Sequence, residues 1–375
     1  MGFISILNLI YFRSRPSIHA ARTKTEAGSR FACAMNTIHI VGATKNMKQL
    51  SILKNIASRW IVLGCLVCLM AGSWASSAAA EKITILSGYD GKFMQGYIAD
   101  KEGFFKAEGL DIDIKYTVSG KAAVDGVVAG AGVMGIGASL VAVTASTRAP
   151  MYIVAPLGRS PRDMKLVALK GISGAADLKG KRIGFQFGTS GHRHTLLILA
   201  KQGMSAKDVT LVNIPAQGLP AALSRGDIDA LSVWPPHSTK ALAATPGSTV
   251  LEDGYGVLIG MGLAVMRKDF LKSDPASAGK LLRALLKAND FMVKNPARTI
   301  QYFADQGKIS LDLAKEIYAD LQPNYNMSLD KELMNELNAS LDFLYDQGKI
   351  KKKVRANEVV YDKLMRAHAP ERVTF

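Results

Sequence analysis

The chain has 375 residues, 48% of them hydrophobic, with 47 Lys and Arg against 31 Asp and Glu, a formal charge of +16 that would ordinarily point to nucleic acid or an anionic membrane. The excess is concentrated at one end: residues 1–80 hold nine Lys/Arg and one Glu, which leaves 38 basic and 30 acidic side chains and a charge of +8 beyond them. Nucleic-acid binding is therefore not expected, and Lys349–Lys353, the only dense basic run there, lacks interleaved aromatics and suits a solvated loop.

From Met47 the residues follow the order of a secretory signal. Lys48, Lys54 and Arg59 precede an apolar stretch, Trp60–Gly72, too short to span a bilayer comfortably, and Ala78-Ala79-Ala80 supplies a small-residue cleavage site. Residues 47–80 are thus expected to be a signal peptide that directs the chain out of the cytoplasm. Residues 1–46, basic and without periodicity, are read as a mis-assigned start or extra leader, with an organelle transit segment as the alternative. Cys33, Cys65 and Cys68 all precede Glu81, so the exported chain would carry no thiol to mispair in an oxidising compartment. Only five residues separate Cys65 from Arg59, which disfavours a lipid anchor at that cysteine.

Residues 81–375 are more than one core usually serves, and two lobes are expected. Alternation marks strands at Lys82–Ser87 and Asp111–Tyr116, with shorter ones at Val133–Ile136 and Met151–Ala155; helical patterns lie between, at Gln95–Lys106 and Ala122–Ala129. A second series follows: strand Lys181–Gln186, helix Thr189–Gln202 closed by Gly203, strand Val209–Asn213, helix Gly218–Arg225 stopped by Gly226, and strand Ile228–Val233. From Pro275 the pattern is helix after helix, plainest at Leu281–Lys287 and Leu333–Leu344. Two βαβ series and a helical tail predict two α/β lobes, the tail returning to the first.

Three constellations invite chemistry. Gly130-Ala-Gly-Val-Met-Gly135 matches a dinucleotide fingerprint, but a helix rather than a strand precedes it and Val154–Pro161, near the expected offset, has no Asp or Glu; a helix end entering a strand is the better reading. His192 and His194 are two apart on a helix and point about 200° apart, so they cannot close on one metal ion, and no metal or cofactor is expected. Ser190 lacks the flanks of a nucleophile elbow. What Gly188-Thr-Ser-Gly191 does offer is a strand-to-helix turn whose N–H groups lack intrahelical partners and suit an anion. Asp227 and Asp229 read as turn and strand-edge residues, and Trp234-Pro235-Pro236 as either a lobe-surface plug or a cleft wall.

At Asp177-Leu-Lys-Gly-Lys-Arg-Ile-Gly-Phe185, Ala222-Leu-Ser-Arg-Gly-Asp-Ile-Asp-Ala-Leu-Ser-Val-Trp-Pro-Pro236 and Gly103-Phe-Phe-Lys-Ala-Glu-Gly-Leu-Asp111, the chain resembles periplasmic solute-binding proteins of ABC importers. More narrowly it resembles the branch with aliphatic-sulfonate, taurine and nitrate binders and thiamine-pyrimidine-precursor proteins. The resemblance implies an α/β, two-lobed type II periplasmic binding protein fold with two crossover strands, Pro156–Arg162 and Gly260–Met266, and a helical C-terminal tail. Residues 81–162 plus 261–375 would form the first lobe and 163–260 the second. It also implies a monomer that holds a small organic anion between its lobes, delivers it to an ABC permease in the inner membrane, and catalyses nothing.

By the same resemblance the ligand would meet Tyr89, Phe93, Met94 and Gln95 after the first strand, Ser119 and Gly120, Ser139, then Gly188, Thr189, Ser190, Gly191 and His192, and Trp234. Thr189 and Ser190 would hold an oxyanion, Tyr89, Phe93 and Trp234 would cover the apolar part, and Arg159 or Arg193 would supply a counter-charge. An acidic residue usual near Val133 is absent. The alternatives are a pyrimidine-precursor binding or synthesis relative, which a cysteine-free exported chain disfavours, and a periplasmic co-sensor.

Overall fold

The computed structural model describes residues 82–375. The signal-peptide, leader and cysteine readings fall outside the described residues.

Two five-stranded sheets organise the chain. In the first, β1 (Ile83–Gly88) lies between β2 (Ile112–Thr117) and β3 (Met134–Ala138), all parallel, and the long strands β4 (Met151–Ser160) and β10 (Gly260–Arg267) complete the order β2-β1-β3-β10-β4. β10 runs antiparallel to both β3 and β4. The second sheet contains β5 (Lys165–Ala168), β6 (Arg182–Phe185), β7 (Thr210–Asn213), β8 (Ala230–Val233) and β9 (Thr249–Asp253) in the order β7-β6-β8-β5-β9, with β6 parallel to both β7 and β8.

The chain passes between sheets twice, from β4 to β5 and from β9 back to β10, and the first passage begins beside the end of the second because Gly260 pairs with Ser160. Each sheet has its own apolar packing. One cluster spans Ile85, Ile136, Leu263 and the C-terminal helices; two others, around Leu231 with Trp234 and around Phe185 with Leu199, cover the faces of the second sheet. The tail returns to the first lobe because helix Pro275–Lys294 is amphipathic: Ala278, Leu281, Leu282, Leu285, Ala288 and Met292 recur at helical spacing and are buried there. Asp274 caps it by accepting from the Ser277 N–H at 2.9 Å, and Pro275 opens its first turn.

The dinucleotide match resolves as expected: helix Gly120–Val128 ends at Ala129, Gly130 turns at φ +91°, and β3 follows. Asp229 accepts from the Arg182 N–H at 2.7 Å and from its guanidinium, fixing the edge between β6 and β8. Helices Ser139–Arg148 and His237–Ala244 and strands β5 and β9 had no counterpart in the periodicity reading. No described helix is long and apolar enough to cross a membrane.

Candidate functional site

Parallel strands bring their carboxyl ends to one place. The turns after β1, β3, β6 and β8 all reach the boundary between the sheets, where open α/β sheets bind ligands. The central cavity there is lined by Phe93, Gly120 and Ala138 from the first lobe and Thr189, Ser190 and Trp234 from the second. At about 20 Å³ it holds little more than a water molecule, so the lobes meet closely around it. Neighbours open outward from the same boundary, among them one of about 240 Å³ that includes Tyr89 and Met94, and one of about 410 Å³ that includes Gly188 and His192.

The turn after β6 is built by its own residues. Gly188 takes φ +76°, a left-handed conformation that costs glycine little. The Thr189 hydroxyl donates to the Gln186 carbonyl at 2.7 Å, which holds the turn and leaves the helix Ser190–Lys201 without a side-chain cap. The first backbone bonds run to the Thr189 carbonyl from His192 and Arg193 at 3.1 and 3.3 Å, so the N–H groups of Ser190 and Gly191 precede every intrahelical acceptor. Ser190 is buried, faces the cavity, and its hydroxyl has no hydrogen-bond partner among the described residues. Free N–H groups at the positive end of a 12-residue helix beside an uncommitted hydroxyl are the donors that an anion would use.

Gly191 serves packing as well. A Cβ there would stand 2.4 Å from the Ser232 carbonyl oxygen of β8, so only glycine lets the helix start settle on the sheet. Gly191→Ala is expected to push the helix from β8 at a cost of about 1–3 kcal/mol; an unchanged melting temperature would show that the helix start is not pinned there. In the first lobe a Cβ at Gly88 would lie 2.2 Å from the Gly120 nitrogen, so the turn after β1 and the helix start at Gly120 touch backbone to backbone.

The remaining residues separate. Phe93 and Trp234 face the central cavity from opposite lobes, and Trp234 is both core residue and cavity wall. Tyr89 stacks on Tyr116 at 5.5 Å and lines the neighbouring cavity with Met94. Ser119 caps its helix through the Ala122 N–H and accepts across the boundary from the Gln186 amide at 3.4 Å. Gln95 is turned away from the boundary: wholly buried, it donates to Asn289 at 3.2 Å. The Ser139 hydroxyl is committed to Glu336 at 2.8 Å.

The charges differ from expectation. Arg159 and Arg193 are not solvated counter-charges. Arg159 is buried against Glu332 and Asp330 at 2.6 and 2.9 Å, and Arg193 donates to Glu336 and, at 2.9 Å, to Ser340. The buried cation at the central cavity is Lys92, only 3% exposed and paired with Asp90 at 2.9 Å and with Asp163. Burial pulls its pKa down, but Asp163 and Asp90 outweigh burial and hold it above the ordinary lysine value. Sequence reasoning passed over Lys92 although it stands within the turn singled out after β1, since nothing local reveals that a lysine is buried.

Three histidines are tied into the packing. His192 stacks on Phe185 and Phe187 at 5.1 and 5.2 Å and accepts from the Gly188 N–H, and burial followed by nearby Lys349 lowers its pKa. His194 is fully buried, held by the Ser232 hydroxyl at 2.9 Å and the Asp253 carbonyl at 3.1 Å, with its pKa lowered chiefly by burial. His237 packs edge-on to Trp234, and burial, then Lys240, push it down to about 4. Among the described residues no cluster of three or more His, Cys, Asp or Glu could hold a metal ion.

Comparison with known proteins agrees with this architecture. The family described as NMT1/THI5 like matches residues 91–299, and the chain belongs to that family. A Brucella abortus (strain 2308) protein named as a binding protein is 28% identical over 236 residues, 61% of this chain and 73% of that one. The taurine-binding periplasmic protein of Escherichia coli K12 is 28% identical over 223 residues, 58% of this chain and 69% of its own. A Saccharomyces cerevisiae 4-amino-5-hydroxymethyl-2-methylpyrimidine phosphate synthase, THI13, is 26% identical over 250 residues, 62% of this chain and 73% of its own. Among solved structures, the alkanesulfonate-binding protein SsuA of Xanthomonas axonopodis pv. citri, bound to MOPS, superposes with TM-score 0.66 at 22% identity, covering 76% of this chain and 99% of that one. The desulfurization enzyme DszB has the same fold at TM-score 0.57 and 17% identity, covering 77% of this chain and 99% of its own. The fold is that of the two-lobed periplasmic binding proteins, and it carries both binders and enzymes.

Proposed function

We propose that this member of the NMT1/THI5-like family is the extracytoplasmic solute-binding component of an ABC importer, which captures a small sulfonate-like organic anion between its lobes and delivers it to a membrane permease. The observation that carries this reading is the uncapped helix start at Ser190 and Gly191, with the Ser190 hydroxyl facing a cavity that the other lobe closes with Phe93 and Gly120. A tetrahedral oxyanion uses several donors converging from one side, which is what a helix N-terminus and a hydroxyl supply. Residues 81–162 with 261–375 are assigned to one lobe and 163–260 to the other. Closing them around the ligand would create the shape a permease recognises.

A reaction is not part of this reading. Lys92 is committed to two carboxylates, and His192 and His194 are held by aromatic stacking and by hydrogen bonds, so no base stands ready beside the Ser190 hydroxyl. The likeness to a taurine-binding protein and an alkanesulfonate-binding protein supports a sulfonate as ligand and a periplasmic location.

In protein beginning at Glu81, Trp234 is the sole tryptophan, and it walls the cavity, so its fluorescence reports ligand directly. Titration with taurine and alkanesulfonates is expected to give saturable quenching or enhancement together with a raised melting temperature. Ser190→Ala removes one hydrogen bond to a charged ligand and is expected to weaken binding by about 1.5–3 kcal/mol, roughly tenfold or more, without lowering the ligand-free melting temperature. Undiminished affinity in that variant would refute the site assignment.

A further inference from the structure

The cavity of about 410 Å³ is some twenty times the central one, which it adjoins: Lys121 and Val141 line both. Its size falls in the range of small-molecule pockets. Apolar side chains from both lobes form its walls, and two of them are left unusually open, Val128 at 46% and Phe187 at 39% exposure. On the second-lobe side the rings of Phe185, His192 and Phe187 cluster together, their centroids 5.1, 5.2 and 5.3 Å apart, with His192 14° from parallel to each phenylalanine. Phe343, from helix Lys331–Asp346 on the first lobe, meets His192 edge-on at 6.1 Å. An exposed Phe187 beside the half-buried His192 and Phe343 leaves apolar ring surface that a flat apolar group would cover.

The charge around this cavity is also unbalanced. Lys121 pairs with Asp125, but Arg148 and Lys349 pair with no carboxylate among the described residues, and Arg148 donates instead to the Lys349 carbonyl at 2.6 Å. At the central cavity Lys92 is paired with both Asp90 and Asp163, and Lys121 with Asp125 beside it. The positive field that draws in an anion therefore arises on the Arg148 and Lys349 side, with the aromatic walls.

We propose that this cavity receives the body of the ligand, so that the preferred ligand is an aryl anion, its oxyanion at Ser190 and Gly191 and its ring among Phe187, His192 and Phe343. The inference rests on the anion-site reading above and adds the ligand class. A one- or two-carbon sulfonate leaves these walls wet; an aryl sulfonate covers them while its charge stays next to Lys121.

The test is calorimetric titration of the full chain with methanesulfonate, taurine, benzenesulfonate and naphthalenesulfonate. Aryl sulfonates are expected to bind at least about tenfold more tightly than methanesulfonate, the gain from burying one ring face. Phe187→Ala, at an exposed turn position, is expected to reduce that ratio about tenfold, and Val128→Glu, which sets a carboxylate on an exposed part of the rim, to reduce it as well. Aryl sulfonates binding no better than methanesulfonate, or both variants leaving the ratio unchanged, would overturn this inference while the anion site stands. Absence of binding by every sulfonate would overturn the anion-site reading and this inference with it.

Discussion

Lys92→Met is expected to lower the stability of the chain by about 3–5 kcal/mol, the range for removing one partner from a buried ion cluster. Lys92 is 3% exposed, and its ammonium is the shared partner of Asp90 and Asp163, which are themselves sheltered. Methionine fills much the same space, so little of the loss would come from a cavity. The cost arises from two carboxylates left facing each other without a cation. Asp163 is already poorly served, with its Oδ1 buried and unpartnered, and its backbone N–H is held by the Ser160 hydroxyl at 2.9 Å, so it cannot easily swing out to water. Thermal and denaturant unfolding of the variant measure the loss; a change within experimental scatter would mean that the cluster is solvated in solution.

The same variant has a pH signature. Burial raises the Asp90 pKa, Lys92 opposes that rise, and Asp163 adds to it. Without Lys92 the opposing influence disappears, so the Asp90 carboxyl should titrate higher still in the folded chain. A carboxyl whose folded pKa lies above its unfolded one takes up a proton on folding, so stability rises as pH falls. The gap between Lys92→Met and the parent is therefore expected to narrow from neutral pH toward the ordinary carboxylate range. In the parent, Lys92 has a raised pKa and contributes fully below the ordinary lysine value, losing its effect only in strong alkali.

How far this cluster was legible in the sequence shows where such reading stops. The βαβ alternation, the helical tail and the Gly188–Gly191 turn are local patterns of period, cap and glycine, and each is present in the structure. Strand β9, at the edge of its sheet, has no buried residue and so no apolar face to read. The ion pairs are worse placed still: Lys92 and Asp163 are 71 positions apart, and Arg193 and Glu336 are 143 apart. Lys92 was passed over and Arg193 was assigned to the ligand because burial of a charge is created by the return of a distant segment. Gln95 was misplaced for the same reason, since its partner Asn289 belongs to a tail helix whose position follows only from the packed core.

Glu336→Gln is expected to act differently, by parting the lobes. Glu336 Oε1 accepts from Arg193, from Ser139 at 2.8 Å and from Ser340 at 3.0 Å, and both charged side chains are under 10% exposed. Arg193 rides on the helix Ser190–Lys201 of the second lobe, whereas Glu336 belongs to a tail helix packed on the first, so this ion pair crosses the boundary that, on the proposed function, opens to admit ligand. Glutamine keeps the shape and the acceptor but removes the charge, stranding a buried guanidinium that would cost about 3–5 kcal/mol if nothing moved. Opening relieves that cost by returning Arg193 to water, an escape the Lys92 cluster beside the crossover strands does not have. The ligand-free variant should then show a larger radius of gyration in solution scattering, returning to the parent value at saturating sulfonate. Its apparent affinity should fall about tenfold, because affinity is reduced by the fraction of chains in the binding-competent state. Adding Arg193→Met to Glu336→Gln removes the stranded charge, and the double variant is expected to recover closure and part of the affinity. If it stays as open as Glu336→Gln alone, shape rather than charge sets the lobe equilibrium. If neither variant changes radius or affinity, this ion pair has no part in holding the lobes together.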